Sequence, residues 1–358
     1  MSSFGIPIEK PKIVLRGLFN SHSHLRGVLP EDQALLPHAA KIQEGLFDWT
    51  LAMPNLDSPV WTGELSLRYL EDINRFAPNL RVVQVIYLTP KTTPQTIREA
   101  HRQGVKAVKL MFVGTTTGSQ NGIEIRRIRE FYPVFAEMDK CGIILCCHIE
   151  DPEVLPLRQR EGAGLRVFRE LVEAFPTLRF VFEHISSKLA IECVRGYPNV
   201  WMGITPHHLW LTENDVEGIG DYLCMPVIKS PEDREAVREV YASSHPRVIC
   251  GPDDAPHKIR NKRLMKPGKR PSFGIWCAEV ALEIYSRVLE ERNALHRLPD
   301  RIWNIGAALY DLKEPDHSYE LVGKSFQIRV EEDPDLPQPL LAGEYCHHQV
   351  ERIAKVQS

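Results

Sequence analysis

The chain contains no run of about 18 apolar residues, so no segment reads as a transmembrane helix. Its start, MSSFGIPIEKPKIVLRG, lacks the charged segment and long apolar core of a secretory signal. The eight cysteines form no C-x-x-C pair and no evenly spaced framework. Three of them, Cys141, Cys146 and Cys147, crowd into CGIILCCH, where cysteine behaves as a small buried hydrophobe. A reduced, cytoplasmic protein is therefore expected. An excess of one charge sign is missing too: the formal net charge of −3 gives no overall pull toward nucleic acid or an anionic membrane. Neither an internal repeat nor a low-complexity linker divides the chain, and residues 1–358 are expected to form one domain. The 43% of hydrophobic and 25% of charged residues suffice for a sizeable core without disulfide staples.

What the chain does have is a series of short apolar, β-branched runs. They cover 12–22, 47–55, 81–89, 105–112, 142–150, 178–186, 200–208 and 246–257. Near-continuous apolar character is expected of strands covered on both faces. Helical patterns lie between them. Residues 122–142 place Ile123, Ile125, Ile128, Phe131, Val134 and Phe135 on one broad face, with Pro133 expected to disturb the helix. Residues 230–244 begin with Ser230 at an N-cap position, a proline in the first turn and acids close behind. Strands alternating with helices in this way predict an α/β fold, a (β/α)8 barrel. The competing open, doubly wound sheet usually carries a glycine-rich phosphate turn after its first strand. Here that position holds His-Ser-His.

Active sites of such barrels sit at the C-terminal ends of the strands. In FNSHSHLRG, residues 19–27, His22, His24 and Arg26 share one face of an extended segment. Neutral imidazole is a common metal ligand. The later strand ends supply Asn55, Lys109, His148, His184, Asp253 and His257. Singly, each has a plain explanation: a satisfied rim histidine, a lysine whose tip reaches solvent, an aspartate capping a helix. Four histidines, a lysine and an aspartate at one end of one barrel match a binuclear metal centre of the hydrolytic kind.

In order along the chain, HSHLR, AMPNL, AVKLMF, TTTGSQNG, CHIE, FEHIS, ITPHHL, MPVIK, GPDDAPH and LLAGEY resemble the amidohydrolase superfamily, and within it the bacterial, single-function dihydroorotases. The resemblance runs from about residue 12 to about residue 347. It implies two Zn²⁺ per chain, one held by His22, His24 and Asp253 and the other by His148 and His184. Lys109, carbamylated by CO₂ to N6-carboxylysine, would bridge them. Asp253 would be the general base and acid. Arg26, Asn55 and His257 would bind the substrate's carboxylate, with His148 beside the substrate and Thr116 and Thr117 on a closing loop. Met225 and Gly274 would line the pocket. The reaction implied is the reversible cyclisation of N-carbamoyl-L-aspartate to L-dihydroorotate. The alternatives are another cyclic amidohydrolase, hydantoinase- or allantoinase-like, and a catalytically silent subunit serving as a scaffold. Homodimers are common in the family, and no interface is legible in the residues.

Three positions depart from the family pattern. Gly27 stands where an acid is usual, and Pro252 and Asp254 alter the T-D-S-A-P-H motif. Asp254 is expected to point away from Asp253. Residues 258–270, KIRNKRLMKPGKR, hold seven Lys/Arg and no acid. A solvated loop or contacts with acidic segments are expected there, against an electrostatic funnel for a dianionic substrate. Without interleaved aromatics, nucleic-acid binding finds no support.

Overall fold

A computed structural model describes residues 12–27, 35–263 and 271–356. Its parallel strands are β2 (Phe19–Ser23), β3 (Trp49–Ala52), β4 (Arg81–Val83), β5 (Val85–Tyr87), β6 (Ala107–Leu110), β7 (Ile144–Cys147), β8 (Phe180–Phe182), β9 (Val200–Ile204) and β10 (Val248–Cys250). Two further strands, β11 (His317–Gln327) and β12 (Tyr345–Ala354), join β1 (Val14–Leu15) in an antiparallel sheet. All eight apolar runs are present. The third is interrupted at Gln84, so that β4 pairs with β3 on one side and β5 with β6 on the other.

The ring closes between β2 and the end of β10. Asp253 N donates to His22 O (2.8 Å), His24 N to Asp254 O (3.1 Å), and Ser21 Oγ to Cys250 O (2.9 Å). The result is a (β/α)8 barrel whose strand interiors are almost wholly buried, as β6 and β7 are at every position. Amphipathic helices such as Gly63–Asn74, Arg160–Ala174 and Ala278–Glu291 cover the outside. Among the described residues no helix is long and apolar enough to cross a membrane.

The helix expected over 122–142 is two pieces, a 3-10 segment Ile125–Phe131 and an α-helix Tyr132–Cys141. Pro133 falls in the first turn of the second piece, where a missing N–H costs nothing and its fixed φ suits the helix. The helix Pro231–Ala242 starts as expected, with Ser230 Oγ accepting from Asp233 N (3.2 Å). The first run is shared: Val14 and Leu15 pair antiparallel with β11, and only Phe19–Ser23 enters the barrel. β11 and β12 escape the sequence reading because they are largely polar and half-exposed, whereas the pattern sought was a continuous apolar run.

That outer sheet is fastened to the barrel through a buried carboxylate. Glu283, on the helix Ala278–Glu291, accepts from His347 N (3.0 Å), His348 N (2.6 Å) and His348 Nδ1 (3.0 Å). His348 Nε2 also stands 3.2 Å from Glu290. The Glu283 hydrogen bond raises the His348 pKa above 6.5; burial pushes Glu283 upward, but His348 and the two amides outweigh it and leave it below 4.5. The histidine's contribution is full below pH 6.5 and fades as pH rises through its raised value; the carboxylate's is lost only as pH falls through its lowered one. His348→Gln should therefore cost about 1 kcal/mol near pH 6, allowing for solvent screening, and less near pH 9. Urea titrations of both proteins at the two pH values test this. An equal cost at both would show that the ion pair contributes nothing.

Candidate metal centre and active site

Strand alternation aims His22 and His24 into the mouth of the barrel, where they meet Asp253 from the opposite side of the closure. Asp253 Oδ1 lies 3.3 Å from His22 Nε2 and 3.2 Å from His24 Nε2. Across the mouth, His148 Nδ1 and His184 Nε2 are 3.0 Å apart. Ligand atoms of His22, His184 and Asp253 all lie within 4.8 Å of one another. Lys109 is 1% exposed and its Nζ finds no hydrogen-bond partner among the described residues; neither do His22 Nε2, His24 Nδ1 or His184 Nδ1. Buried polar atoms left unpaired are costly. All four residues line one pocket, where a cation would relieve buried polar atoms of this kind.

Protonation states suit the same purpose. Burial, helped by Arg26 and His22, brings His24 down to about 3 against the pull of Asp253. Burial and then His148 hold His184 well below its usual range. Burial alone would raise Asp253, yet His22, His24 and His184 keep it well below the usual carboxylate value. Neutral imidazoles and an ionised carboxylate are what metal ligation requires. Arg26, His184 and Asp253 are also non-glycine residues at positive φ (69°, 41° and 51°), so backbone strain is concentrated at this site.

Two carboxylates that the sequence reading passed over stand behind the histidines. His22 Nδ1 is 2.8 Å from Glu183 Oε2, and His148 Nε2 is 2.7 Å from Glu150 Oε2. Both acids are wholly buried. Each fixes a tautomer, leaving Nε2 of His22 and Nδ1 of His148 to face the mouth. The signal was available: Glu183 precedes His184 in FEHIS, so it projects to the other side, and Glu150 lies two residues beyond His148 in CHIE.

The pocket is lined by Arg26, Asn55, Thr116, Thr117, Met225 and Gly274 together with the histidines, Lys109 and Asp253. His257 stands just behind Arg26. Arg26 donates from Nε to Pro256 O (2.8 Å), and one of its terminal nitrogens lies 2.9 Å from His257 Nε2. Thr117 Oγ1 accepts from Phe273 N (3.2 Å), so the threonine loop lies against the opposite wall. Gly118 (φ 77°) rests on Asn55, where a Cβ would come within 2.5 Å of the backbone oxygen. All the residues singled out from the sequence are thus at or beside one pocket.

The departures find their places too. Gly27 lies outside the pocket lining, and a Cβ there would touch only Leu56. Asp254 does face away from Asp253, into a buried knot where Asn20 Nδ2 (2.8 Å), Ser23 Oγ (3.1 Å) and Gln43 Nε2 donate to it. Burial pushes its pKa up to about 8. Pro252 accepts through its carbonyl from Cys277 Sγ (3.2 Å). Of the basic segment, Arg260 and Lys258 reach Asp335 (2.8 and 3.9 Å) and Arg263 reaches Asp221 (2.6 Å), the acidic contacts expected of it. Lys262 is buried instead, and residues 264–270 lie outside the described residues. A second cluster, His207, His208 and Cys224, is also close enough to hold a cation. His208, however, uses Nδ1 with Thr205 Oγ1 (2.7 Å) and Nε2 with Pro226 O (3.1 Å), and burial lifts the Cys224 thiol to about 12.

No protein-family model matches the chain. It is 32% identical to a probable dihydroorotase of Schizosaccharomyces pombe over 322 residues, 88% of this chain and 92% of that protein. The chain belongs to the dihydroorotase family. A dihydroorotase of Halorhodospira halophila is 37% identical over 303 residues, 81% of this chain and 84% of that one. A Saccharomyces cerevisiae dihydroorotase crystallised with 5-fluoroorotic acid superposes with a TM-score of 0.89 at 26% identity, covering 97% of this chain and all of that one. A dihydroorotase scaffold with paired carboxylate–histidine contacts makes a specific prediction. Glu183→Gln and Glu150→Gln should each lower metal affinity about 10- to 100-fold, read by titration with a competing chelator. Unchanged affinity in both would reduce the two acids to packing residues.

Proposed function

We propose that the protein catalyses the reversible, zinc-dependent cyclisation of N-carbamoyl-L-aspartate to L-dihydroorotate and water, a step of de novo pyrimidine synthesis. The observation that carries this reading is Arg26 backed by His257, lining the same pocket as His24, Asn55 and Asp253. A guanidinium fork suits a carboxylate, and the uncharged ring of a hydantoin would leave it without a purpose. The complete ligand set speaks against a silent scaffold.

His22, His24 and Asp253 would hold one zinc ion, His148 and His184 a second. Lys109 would bridge them after its amine has added to CO₂, losing a proton and gaining two anionic oxygens. When bound, such a pair supplies a water of lowered pKa and a Lewis acid for the reacting carbonyl. Asp253, an ionised carboxylate, would take a proton from the attacking water in ring opening and return it to the ring nitrogen as the C–N bond breaks. In ring closure it would take the proton from the ureido nitrogen and pass it to the oxygen that the side-chain carboxylic acid loses as water. Arg26, Asn55 and His257 hold the carboxylate beside the other ring nitrogen, which fixes the reacting carbonyl opposite Asp253. Thr116 and Thr117 close over the ring and exclude bulk water. All eight cysteines are free, which supports a reducing, cytoplasmic setting.

Turnover of dihydroorotate by the metal-loaded protein tests the reading directly. Arg26→Met should lower kcat/KM for dihydroorotate by about 30- to 5,000-fold, the equivalent of about 2–5 kcal/mol, with both metals retained. Dihydrouracil, the same ring without the carboxylate, should be a poor substrate and barely affected by that change. A wild-type preference for dihydrouracil or hydantoin would overturn the assignment. Lys109→Ala should lose most activity and metal, with partial rescue by short carboxylic acids standing in for the bridge. Wild-type turnover in that variant would make Lys109 an ordinary strand residue.

A further inference from the structure

Among the described residues of the 258–270 segment two basic side chains are buried, Lys258, whose amine reaches Asp335, and the more deeply placed Lys262. It is 5% exposed, at the end of the short helix Ile259–Lys262 that follows His257. An ammonium has three N–H groups, and all three are engaged by neutral backbone carbonyls: Leu223 O (2.6 Å), Gly274 O (2.7 Å) and Ser272 O (3.0 Å). The nearest acid in its surroundings, Asp221, is taken by Arg263 at 2.6 Å. Among the described residues no carboxylate lies within 4 Å of its nitrogen. The charge is therefore buried without a counter-ion.

The carbonyls it gathers belong to the two stretches that build one wall of the pocket. Leu223 O also accepts from Gly274 N (2.9 Å), which locks those stretches to each other. Met225, Phe273 and Gly274 face the pocket. Phe273 donates its N–H to Thr117 Oγ1, and its carbonyl stands 2.8 Å from His257 Nε2. Gly274 (φ 141°) leaves no room for a side chain, since a Cβ would come within 2.5 Å of Ala255 Cβ. The wall is thus tied together by hydrogen bonds, and His257 beside it is held neutral by burial and by the fields of Arg26 and Lys262. Arg26 lines the pocket and Lys262 stands behind its wall, so a ligand's anionic group would meet a positive potential there.

We propose that Lys262 is a positioning and specificity-determining residue, which staples the Leu223–Met225 and Ser272–Gly274 backbones into the substrate wall and adds to Arg26 the positive potential that selects a carboxylate-bearing ring. This rests on the dihydroorotase reading, and deepens it by assigning part of the carboxylate selectivity to a residue that does not touch the substrate.

The test compares wild type, Lys262→Met and Lys262→Arg on dihydroorotate and on dihydrouracil, with metal content and circular dichroism measured on each. Lys262→Met should raise KM for dihydroorotate about 10-fold, a decade being 1.4 kcal/mol, while kcat and the kinetics on dihydrouracil change little. Lys262→Arg, which keeps the charge, should recover part of the loss. A loss shared equally by both substrates, or no change in KM, would make Lys262 a structural staple only and overturn the proposal. If Lys262→Met does not fold, the wild-type pH profile decides. Burial brings Lys262 down to about 8, so KM for dihydroorotate should rise above that pH while KM for dihydrouracil does not. The groups facing it are Asp221, Cys224, Arg26, His207 and His257; the thiol is held near 12 and His207 near 4, away from that window. A flat KM profile for dihydroorotate would overturn the proposal equally. Failure of the metal-loaded wild type to turn over dihydroorotate is a different result, which removes the dihydroorotase reading and this inference with it.

Discussion

The site depends on one junction, the parallel contact that closes the barrel between β2 and the end of β10. Through Asp253 N to His22 O and His24 N to Asp254 O, the first and last strands fix their registers against each other. A slip of one residue would turn every side chain to the opposite face. It would exchange Asp253 for Asp254 at the mouth and send His22 and His24 into the helical layer. The knot of Asn20, Ser23 and Gln43 around Asp254 guards against that slip, because its buried carboxylate is satisfied only in the observed register. A change at Asp254 would thus reach His22, His24 and Asp253 through the register of the two strands.

Around that junction, charge is divided by position. Below the mouth, Glu183 and Glu150 supply negative charge to the histidines from behind and hold their tautomers. Above it, Arg26 lines the pocket beside a neutral His257, and Lys262 lies buried behind the same wall. The substrate assigned to the pocket needs both halves. Its reacting carbonyl would be met on the metal side and its carboxylate on the basic side, within the length of one six-membered ring. Glu161, Lys229 and Ser186 extend the same logic outward. Glu161 Oε1 accepts from Ser186 N (2.9 Å) and Oγ (3.0 Å), Lys229 stands 3.3 Å from Glu161 Oε2 and donates to Ser186 Oγ, and the strained turn that presents His184 is held in place.

Much of this was legible in the residues alone. Apolar runs separated by helical periodicity are local properties, and they locate the strands of the barrel whatever the long-range packing. A polar residue closing such a run lies at the C-terminal mouth, so His22, His24, Lys109, His148, His184 and Asp253 could be gathered before any coordinates. The period of two likewise put His22, His24 and Arg26 on one side and set Asp254 against Asp253. The polar strands β11 and β12 were not legible, since their burial is contributed by the helix Ala278–Glu291, far away in sequence.

The sequence by itself determined which chemical groups stand at the mouth of the barrel, because strand face and strand end follow from spacing. Only the tertiary structure decided who meets whom. That Glu183 of β8's end backs His22 of β2, 161 positions away, depends on ring closure, which no local pattern encodes. Lys262 is the plainest case. In KIRNKRLMKPGKR it is indistinguishable from the other basic residues. It turns inward because folding brings the carbonyls of Leu223, Ser272 and Gly274 to one point, and three inward-facing oxygens in a buried wall require a donor with three hydrogens.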